Sequence, residues 1–311
     1  FIKCSLQFYF NYLAGIKDAD EVEEEVGADT FGIVIHAVLE DIFGETNKEG
    51  VITEAILQKQ LDTVEKRVKQ KFQEKASFTK DSMVGNNLIA QEAAMHYIKI
   101  FLQEQIDELE NEVLGEKNFE ILSLENKEEM LKILPAEFAY QDNQEALSVR
   151  LRGIVDRVDK FSQVLRIIDY KTGSVSPEDL KMDEEKFLKI AESKDLSKAR
   201  QLWLYRYLLL KNLENNPQWE KFKNQPIEAG IYSMRRLDDG LMTLQIAKPK
   251  DAKETNSKGL PLDDKEWFLH KTELWLQQII RNMLDTEQDF QKTDDIETCG
   301  YCQYKNICSR D

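Results

Sequence analysis

The sequence predicts an α/β fold in which a mixed central sheet is flanked by helices. Helical apolar spacing dominates the first part of the chain, at 31–43, 52–72 and 86–114. Short runs typical of strands follow, at 134–141, 147–155 and 164–168. A helix at 199–213, a hairpin spanning 227–246 and a last helix at 266–291 complete the predicted elements. The core is therefore predicted to carry a helical insertion on its N-terminal side.

Length and charge limit the classes of function. The chain has 311 residues, of which 58 are acidic and 42 are basic, and its net charge is −16. A free-standing protein that captures duplex DNA electrostatically would usually be basic. Acidity does not exclude an enzyme whose carboxylates bind a metal and whose DNA is delivered by another module. No apolar run reaches the roughly 18–20 residues of a membrane span.

Charged side chains follow two of the predicted strands. Asp169 and Lys171 come directly after 164–168, and their two-residue spacing places them on one face. Asp156 comes directly after 147–155. If these strands pair as a hairpin, two carboxylates and one lysine converge, a set suited to Mg²⁺ and to a scissile phosphate. The alternative is a solvated turn with a surface ion pair.

Two helices carry further candidate residues. On the first helix, His36 and Glu40 lie one turn apart on one face, and the pattern alone favours a core histidine. On the helix at 199–213, Gln201 and Tyr205 have i,i+4 spacing. The leucines around Tyr205 also fit a plain core helix. A charged helical insertion is expected at 181–196 and a polar loop at 248–259.

The cysteines form a second pattern. Cys299, Cys302 and Cys308 make a C-x2-C-x5-C motif in a short polar tail, and Cys4 completes a set of four thiols. The spacing suits a metal or cluster site, with tetrahedral zinc as a strong rival. A disulfide scaffold is disfavoured because such proteins are small and cysteine-dense. The set would join the chain ends, and docking of the tail is expected to depend mainly on it.

With these motifs in place, the chain resembles the RecB-type branch of the PD-(D/E)XK nucleases. The likeness is to the iron–sulfur nucleases of AddB-like helicase–nuclease subunits and of CRISPR adaptation. Six elements match in family order: Cys4 with its aromatic run, the helical His36 motif, 153–159, 168–173, Gln201 with Tyr205, and the three C-terminal cysteines. Ser5 stands where the family often has proline. Tyr170 stands in place of the eponymous Glu, at a position that varies, and Asp169 supplies the carboxylate.

The resemblance implies a restriction-endonuclease-like core that hydrolyses DNA phosphodiesters with Mg²⁺ or Mn²⁺. Asp156 and Asp169 would hold the cation, with His36 and the carbonyl of Tyr170 as further ligands. Lys171 would position water or stabilise negative charge. It also implies hydrogen bonds from Gln201 and Tyr205 to the DNA backbone or to the ligands of the site. Finally, it implies a [4Fe–4S] cluster on Cys4, Cys299, Cys302 and Cys308, with zinc or an empty site as alternatives in the isolated protein.

The expected organisation has four parts: an N-terminal segment (1–30), a helical region with the histidine motif (31–130), the nuclease core (131–291) and a cysteine clasp (292–311). We expect a cytoplasmic exonuclease module of a longer helicase–nuclease polypeptide. Its expected partners are DNA, the helicase portion and a second subunit. The alternatives are a catalytically weak DNA-binding module or a subunit-interaction module with a structural metal clasp. Cleavage polarity and strand preference stay open.

Overall fold

The computed structural model describes residues 1–16, 25–46, 50–75, 83–112, 115, 117–124, 136–141, 146–246, 264–300 and 302–310. Its α-helices are α1 (Ser5–Phe8), α2 (Ala28–Thr46), α3 (Glu54–Leu61), α4 (Val64–Lys75), α5 (Asn86–Glu110), α6 (Glu184–Leu188), α7 (Ser197–Asn215), α8 (Lys265–Leu284) and α9 (Ile296–Gly300). Its strands are β1 (Ile52–Thr53), β2 (Asn118–Leu124), β3 (Ala136–Gln141), β4 (Ala146–Leu151), β5 (Arg157–Phe161), β6 (Val164–Lys171), β7 (Lys181–Met182), β8 (Ile227–Ser233), β9 (Met242–Thr243) and β10 (Gln245–Ile246).

A six-stranded sheet forms the centre of the molecule, in the order β1-β2-β5-β6-β8-β9. Its neighbouring strands are antiparallel, except that β6 and β8 run parallel. The six residues between the ends of β6 are all buried. This burial shows that β6 is covered on both faces, even though it also carries Arg166 and Asp169. The predicted mixed sheet flanked by helices is therefore confirmed.

Helices cover both faces of this sheet, and each face has its own apolar core. On one face, α2, α4 and α5 pack on Ile168, Tyr170 and Tyr232 of β6 and β8. On the other face, α7 and α8 pack on Leu165 and Ile167. Side chains alternate along a strand, so neighbouring residues of β6 enter different cores. None of the helices in the described ranges has both the length and the apolar character of a membrane span.

Several predicted elements occur close to their expected positions. The strand expected at 134–141 is β3, and the helix expected at 199–213 is α7. The expected hairpin is formed by β8 and β9, which pair antiparallel with Gly230 opposite Thr243. The helix expected at 86–114 is α5, which ends at Glu110. The polar loop at 248–259 lies outside the described residues.

Other expectations need correction. The segment 52–72 is not one helix, because β1 precedes α3 and α3 is separate from α4. The last helix ends at Leu284 rather than at 291. The segment 181–196 is not an appended insertion, since Met182, Ile190 and Leu196 are buried in the core. The four-part division stays a prediction, although β1 and β2 of its helical region join the central sheet.

The partner of β6 also differs from the expected one. The expected strand at 147–155 ends early as β4, which pairs with β3 in a separate two-stranded sheet. It is β5 that pairs with β6, with Phe161 opposite Val164. Only two residues join these strands, and Ser162 adopts the left-handed φ of 54° that such tight turns require. Because this connection is so short, β5 rather than β4 is the neighbour with which β6 pairs.

A buried ion network lies on the α5 side of the β5–β6 hairpin. Arg166 Nε and Nη2 donate to the two oxygens of Asp159 at 2.8 and 3.0 Å. Arg157 Nε lies 2.9 Å from Asp159 Oδ2, and Arg166 Nη1 lies 2.7 Å from Glu108 Oε1. Arg157 also donates to Gln105 Oε1 at 2.7 Å. Two arginines therefore face two carboxylates, and the network ties α5 to the sheet.

A close approach of the backbone at Gly230 gives a stability prediction. A Cβ at Gly230 would lie 2.9 Å from the carbonyl oxygen of Met242 and 2.8 Å from two carbons of Leu241. Gly230→Ala should lower the free energy of unfolding by about 1–3 kcal/mol, because the backbone of β9 has to move. Urea denaturation measures the change. Gly173→Ala is the matched control, since nothing lies within 4 Å of its Cβ. Equal stability of the two variants would contradict the argument.

Candidate active site

The hairpin register brings two carboxylates together. The β5–β6 pair ends with Arg157 opposite Ile168, and the next residues, Asp156 before β5 and Asp169 in β6, lie close enough for their charges to interact. The side chain of Asp169 is 3% exposed and that of Asp156 is 11% exposed. Asp169 shares its face of β6 with Leu165 and Ile167, which pack in the core formed by α7 and α8. The convergence expected from the sequence therefore occurs, although a different strand delivers Asp156.

The carboxylate of Asp156 is held by groups from β6 and α2. Asp156 Oδ2 accepts a hydrogen bond from the backbone N–H of Tyr170 at 2.6 Å. Asp156 Oδ1 lies 3.3 Å from Nδ1 of His36. The other ring nitrogen of His36 lies 2.9 Å from the carbonyl oxygen of Tyr170. His36 is thus a half-exposed bridge between the two strands rather than a histidine of the helix core.

Contacts at the end of β6 explain why α2 reaches the site. A Cβ at Gly32 would lie 3.5 Å from Oγ1 of Thr172, so the first turns of α2 pass close to the residue after Lys171. Ser233 and the backbone N–H of Met234 fix the same strand end. Ser233 Oγ donates to the carbonyl of Gly173 at 3.0 Å, and Met234 N donates to the carbonyl of Lys171 at 2.8 Å. The sequence analysis did not predict Ser233 and Met234 as supporting residues. The one local signal for them in the sequence is a serine that ends an apolar strand.

Asp169 is the electrostatic centre of the site. Burial and, next, the negative charge of Asp156 raise the pKa of Asp169 to about 6, against the opposing effects of Lys171 and His36. Lys171 Nζ lies 2.8 Å from Asp169 Oδ2, and about a third of its side chain is exposed. The site therefore holds excess negative charge in a place where an ionised carboxylate is poorly solvated.

Gln201 and Tyr205 form a pair on α7. Gln201 Nε2 donates to the hydroxyl of Tyr205 at 2.8 Å, as the i,i+4 spacing allows. The ring of Tyr205 lies against Gly153, where a Cβ would be 3.5 Å from two ring carbons and 2.3 Å from Leu208 Cδ1. Gly153 therefore permits the chain leading into Asp156 to approach α7. Both side chains of the pair are partly exposed.

The four cysteines share one neighbourhood and are free thiols. Burial raises the pKa of Cys308, and the negative charges of Cys302, Cys4 and Cys299 raise it further, in that order. Cys4 caps α1, because its sulfur accepts a hydrogen bond from Gln7 N at 3.4 Å. The turn that follows α9 is closed by a hydrogen bond from Cys302 N to the carbonyl of Cys299. The N-terminal cysteine therefore lies close to the three from the tail.

Contacts other than the thiols also join the chain ends. Tyr304 is 2% exposed, and its hydroxyl donates to the carbonyl of Ile16 at 2.7 Å. The Phe10 ring lies 5.2 Å from the Tyr304 ring, and Phe290 lies 5.3 Å from Tyr9. Docking of the tail was expected to depend mainly on the cysteine site. The structure adds an aromatic contact surface that composition alone did not reveal.

Neither donor set is arranged as a closed metal site. Within the described ranges, no three His, Cys, Asp or Glu side chains stand so that they could hold a metal ion. At the sheet end, the donors contact one another: His36 faces Asp156 and the Tyr170 carbonyl, and Asp169 faces Lys171. The donor chemistry still fits, because two carboxylates, a carbonyl and an imidazole suit Mg²⁺ or Mn²⁺. Four thiols suit a cluster or zinc.

The raised pKa of Asp169 predicts an unusual pH dependence of stability in metal-free protein. The folded state keeps the proton up to about pH 6, whereas the ordinary pKa is 3.8, so stability falls as pH rises through that window. Asp169→Asn should therefore be more stable than wild type at pH 8, by up to about 3 kcal/mol. The gain should vanish below pH 4. Urea denaturation in EDTA measures it.

Asp179 provides the control of opposite sign. Hydrogen bonds from the Ser176 backbone and from Lys198 outweigh partial burial and lower the pKa of Asp179. Asp179→Asn should therefore lose stability above pH 4 rather than gain it. If Asp169→Asn loses stability at pH 8 in the same way, the carboxylate of Asp169 is not strained by its surroundings.

Comparison with known proteins places this geometry in a family. A family model described as the PD-(D/E)XK nuclease superfamily matches residues 1–309. No curated protein matches the chain. The matched range includes the facing carboxylates and the lysine that follows them. A fold with a central, mostly antiparallel sheet flanked by helices agrees with this match. The chain belongs to the PD-(D/E)XK nuclease superfamily, so it is a nuclease that hydrolyses phosphodiester bonds.

Proposed function

We propose that this nuclease is a deoxyribonuclease that depends on Mg²⁺ or Mn²⁺. One observation carries the proposal: Asp156 and Asp169 face each other at the sheet end, and burial and mutual repulsion raise the pKa of Asp169 to about 6. A like-charge pair of this kind is costly unless a cation joins it. A divalent ion would offset the charge that Lys171 and His36 leave uncompensated.

The residues of the site would have distinct roles in hydrolysis. Asp156 and Asp169 would hold the ion, with His36 and the Tyr170 carbonyl as further ligands. When bound, the ion polarises a phosphate and lowers the pKa of a coordinated water. Lys171 would stabilise the negative charge that develops on the phosphate or orient the attacking water. The fixed end of β6 would keep Lys171 in place.

Gln201 and Tyr205 would contact the DNA backbone. Their mutual hydrogen bond orients both groups, and each is partly exposed. The amide NH₂ of Gln201 and the hydroxyl of Tyr205 are hydrogen-bond donors, the kind of group that phosphate oxygens accept from. Their place on α7 is supported by the packing of α7 against the face of β6 that carries Asp169.

At the cysteines we propose a [4Fe–4S] cluster in the native protein, with zinc as the rival. The support is the shared neighbourhood of four free thiols, which persists although the tail also docks through Tyr304. An absorption spectrum of anaerobically purified protein, combined with iron and zinc analysis, separates the two. A cluster of this kind would fit a reducing compartment such as the cytoplasm.

The wider context is also proposed. A net charge of −16 gives the chain little electrostatic attraction for DNA. This supports a role as an exonuclease module of a longer helicase–nuclease polypeptide, with a second subunit, in DNA repair or recombination. The same acidity favours a second candidate, a subunit-interaction or weak DNA-binding module. Cleavage by the isolated chain with Mn²⁺ distinguishes the two.

The lysine provides the first test of the proposed chemistry. Lys171→Ala should reduce DNA cleavage by roughly 10²–10³, because one preorganised charge stabiliser is removed. Its fold should persist, since the side chain is partly exposed. Initial rates on a labelled oligonucleotide with Mn²⁺ measure the loss, and EDTA should abolish cleavage by the wild type.

Lys160→Ala is the matched control, because Lys160 lies on the same hairpin opposite Leu165 and away from Asp169. It should cleave at the wild-type rate. Equal loss in both variants would indicate damage to the hairpin, and no loss in Lys171→Ala would refute the role of Lys171. Absence of cleavage by the wild type under all divalent ions would favour the interaction module.

The cysteine proposal predicts a local effect on the chain ends. In the metal-loaded protein, Cys308→Ala should speed amide hydrogen exchange at residues 4–12, because binding free energy at the site becomes folding free energy. Hydrogen-exchange mass spectrometry measures it. Tyr304→Phe, which removes only the hydrogen bond to the carbonyl of Ile16, is the comparison. Unchanged exchange in Cys308→Ala would show that packing alone anchors the ends.

A further inference from the structure

A cavity of about 450 Å³ lies between the N-terminal segment and the helices α7 and α8. Its charged lining residues are Lys3 and Arg200, and none of its described lining residues is acidic. This is unusual in a chain with a net charge of −16. The adjoining cavity shares Lys3 and also contains Lys292, but four acidic residues line it: Glu192, Asp285, Asp289 and Asp294. A local excess of positive charge therefore exists at one place on an acidic protein.

Arg200 supplies most of the argument for an anion. Its side chain is 7% exposed, yet in the described part of the chain it forms no ion pair with a carboxylate. Arg200 Nη1 donates to the carbonyls of Ile190 and Ser193 at 2.8 and 2.6 Å, which fixes the side chain but does not neutralise it. A buried guanidinium normally has an anionic partner, since its desolvation is otherwise costly. Within the described residues, the protein itself supplies no carboxylate to pair with Arg200.

The cavity also has an aromatic lining that includes Phe8 and Tyr12. Tyr12 is 71% exposed, and its ring centroid lies 5.3 Å from that of Phe8. Gln7 and Asn11 also line the cavity and have i,i+4 spacing. Exposed aromatic faces stack on nucleobases, and amide side chains can hydrogen-bond base edges or phosphates. Cationic and aromatic groups in one nucleotide-sized cavity are the combination used to bind single strands.

We propose that this cavity binds a nucleotide of a single DNA strand, with its phosphate at Arg200 and Lys3 and its base on Tyr12. The proposal rests on the proposed function, because Arg200 precedes Gln201 on α7 and the bound strand would continue toward that residue. A duplex fits less well, since its bases are already stacked. Its second backbone would also meet the four carboxylates of the adjoining cavity.

Fluorescence anisotropy with a labelled oligothymidine tests the proposal, in EDTA and at low salt so that no cleavage occurs. Tyr12→Ala should weaken binding about 5- to 150-fold, the effect of losing one stacked base, while Tyr12→Phe should bind like wild type. Arg200→Gln should weaken binding and lower the slope of log K against log[salt] by about 0.7, the value for one lost phosphate contact. A merely structural arginine would leave that slope unchanged.

Tyr9→Ala is the matched control, because Tyr9 lies in the same segment but does not line the cavity. The proposal is overturned if Tyr12→Ala binds like wild type or like Tyr9→Ala, if duplex binds more tightly than single strand, or if wild type does not bind. These outcomes are independent of cleavage. A wild type that binds as expected but never cleaves with Mn²⁺ would refute the nuclease assignment of the metal site and leave the cavity assignment standing.

Discussion

The pairing of β6 with β5 and β8 determines where the two carboxylates, the lysine and the Tyr170 backbone of the candidate active site lie. One register ends at Arg157 and Ile168 and so brings Asp156 next to Asp169, and the other places Ser233 opposite Lys171. The backbone of Tyr170 then contributes twice, through an N–H to Asp156 and a carbonyl to His36. A slip of one residue would move Asp169 and Lys171 to the opposite face of the sheet. The chemistry of the site therefore depends on register before it depends on any side chain.

The buried middle of the β5–β6 hairpin and its open end differ in charge balance. On the α5 face, Arg157 and Arg166 are balanced by Asp159 and Glu108, and the network is enclosed by aromatic rings such as Phe119. At the end of β6, the carboxylates of Asp156 and Asp169 outnumber the single ammonium of Lys171. A balanced buried network stabilises the fold, whereas an excess of one charge favours binding of a ligand of the opposite charge. This contrast within one hairpin is the physical basis for placing a cation at the end of β6.

The sequence predicted correctly those features of the site that depend on spacing between residues close together in the chain. The spacing of Asp169 and Lys171 follows from strand alternation, and that of Gln201 and Tyr205 from the helical turn. It failed for β5, whose residues Arg157 and Asp159 appear polar but are fully buried. Those charges are acceptable in the core because Arg166 of the adjacent strand β6 and Gln105 of α5, 52 residues away from Arg157, supply partners. The contact of Tyr304 with Ile16 and the cavity at Arg200 likewise join segments almost 190 residues or more apart, and no local pattern encodes them.

Charge distribution also connects the cavity to the rest of the molecule. A protein with a net charge of −16 cannot rely on long-range attraction to collect DNA, so local features have to select the substrate. Stacking on Tyr12 needs an unpaired base and is little affected by distant carboxylates. Arg200 acts mainly at short range, because it is buried and lines the cavity. The acidic surface therefore repels duplex DNA, and the small cationic and aromatic cavity accepts one strand. Together they select single-stranded DNA as the substrate.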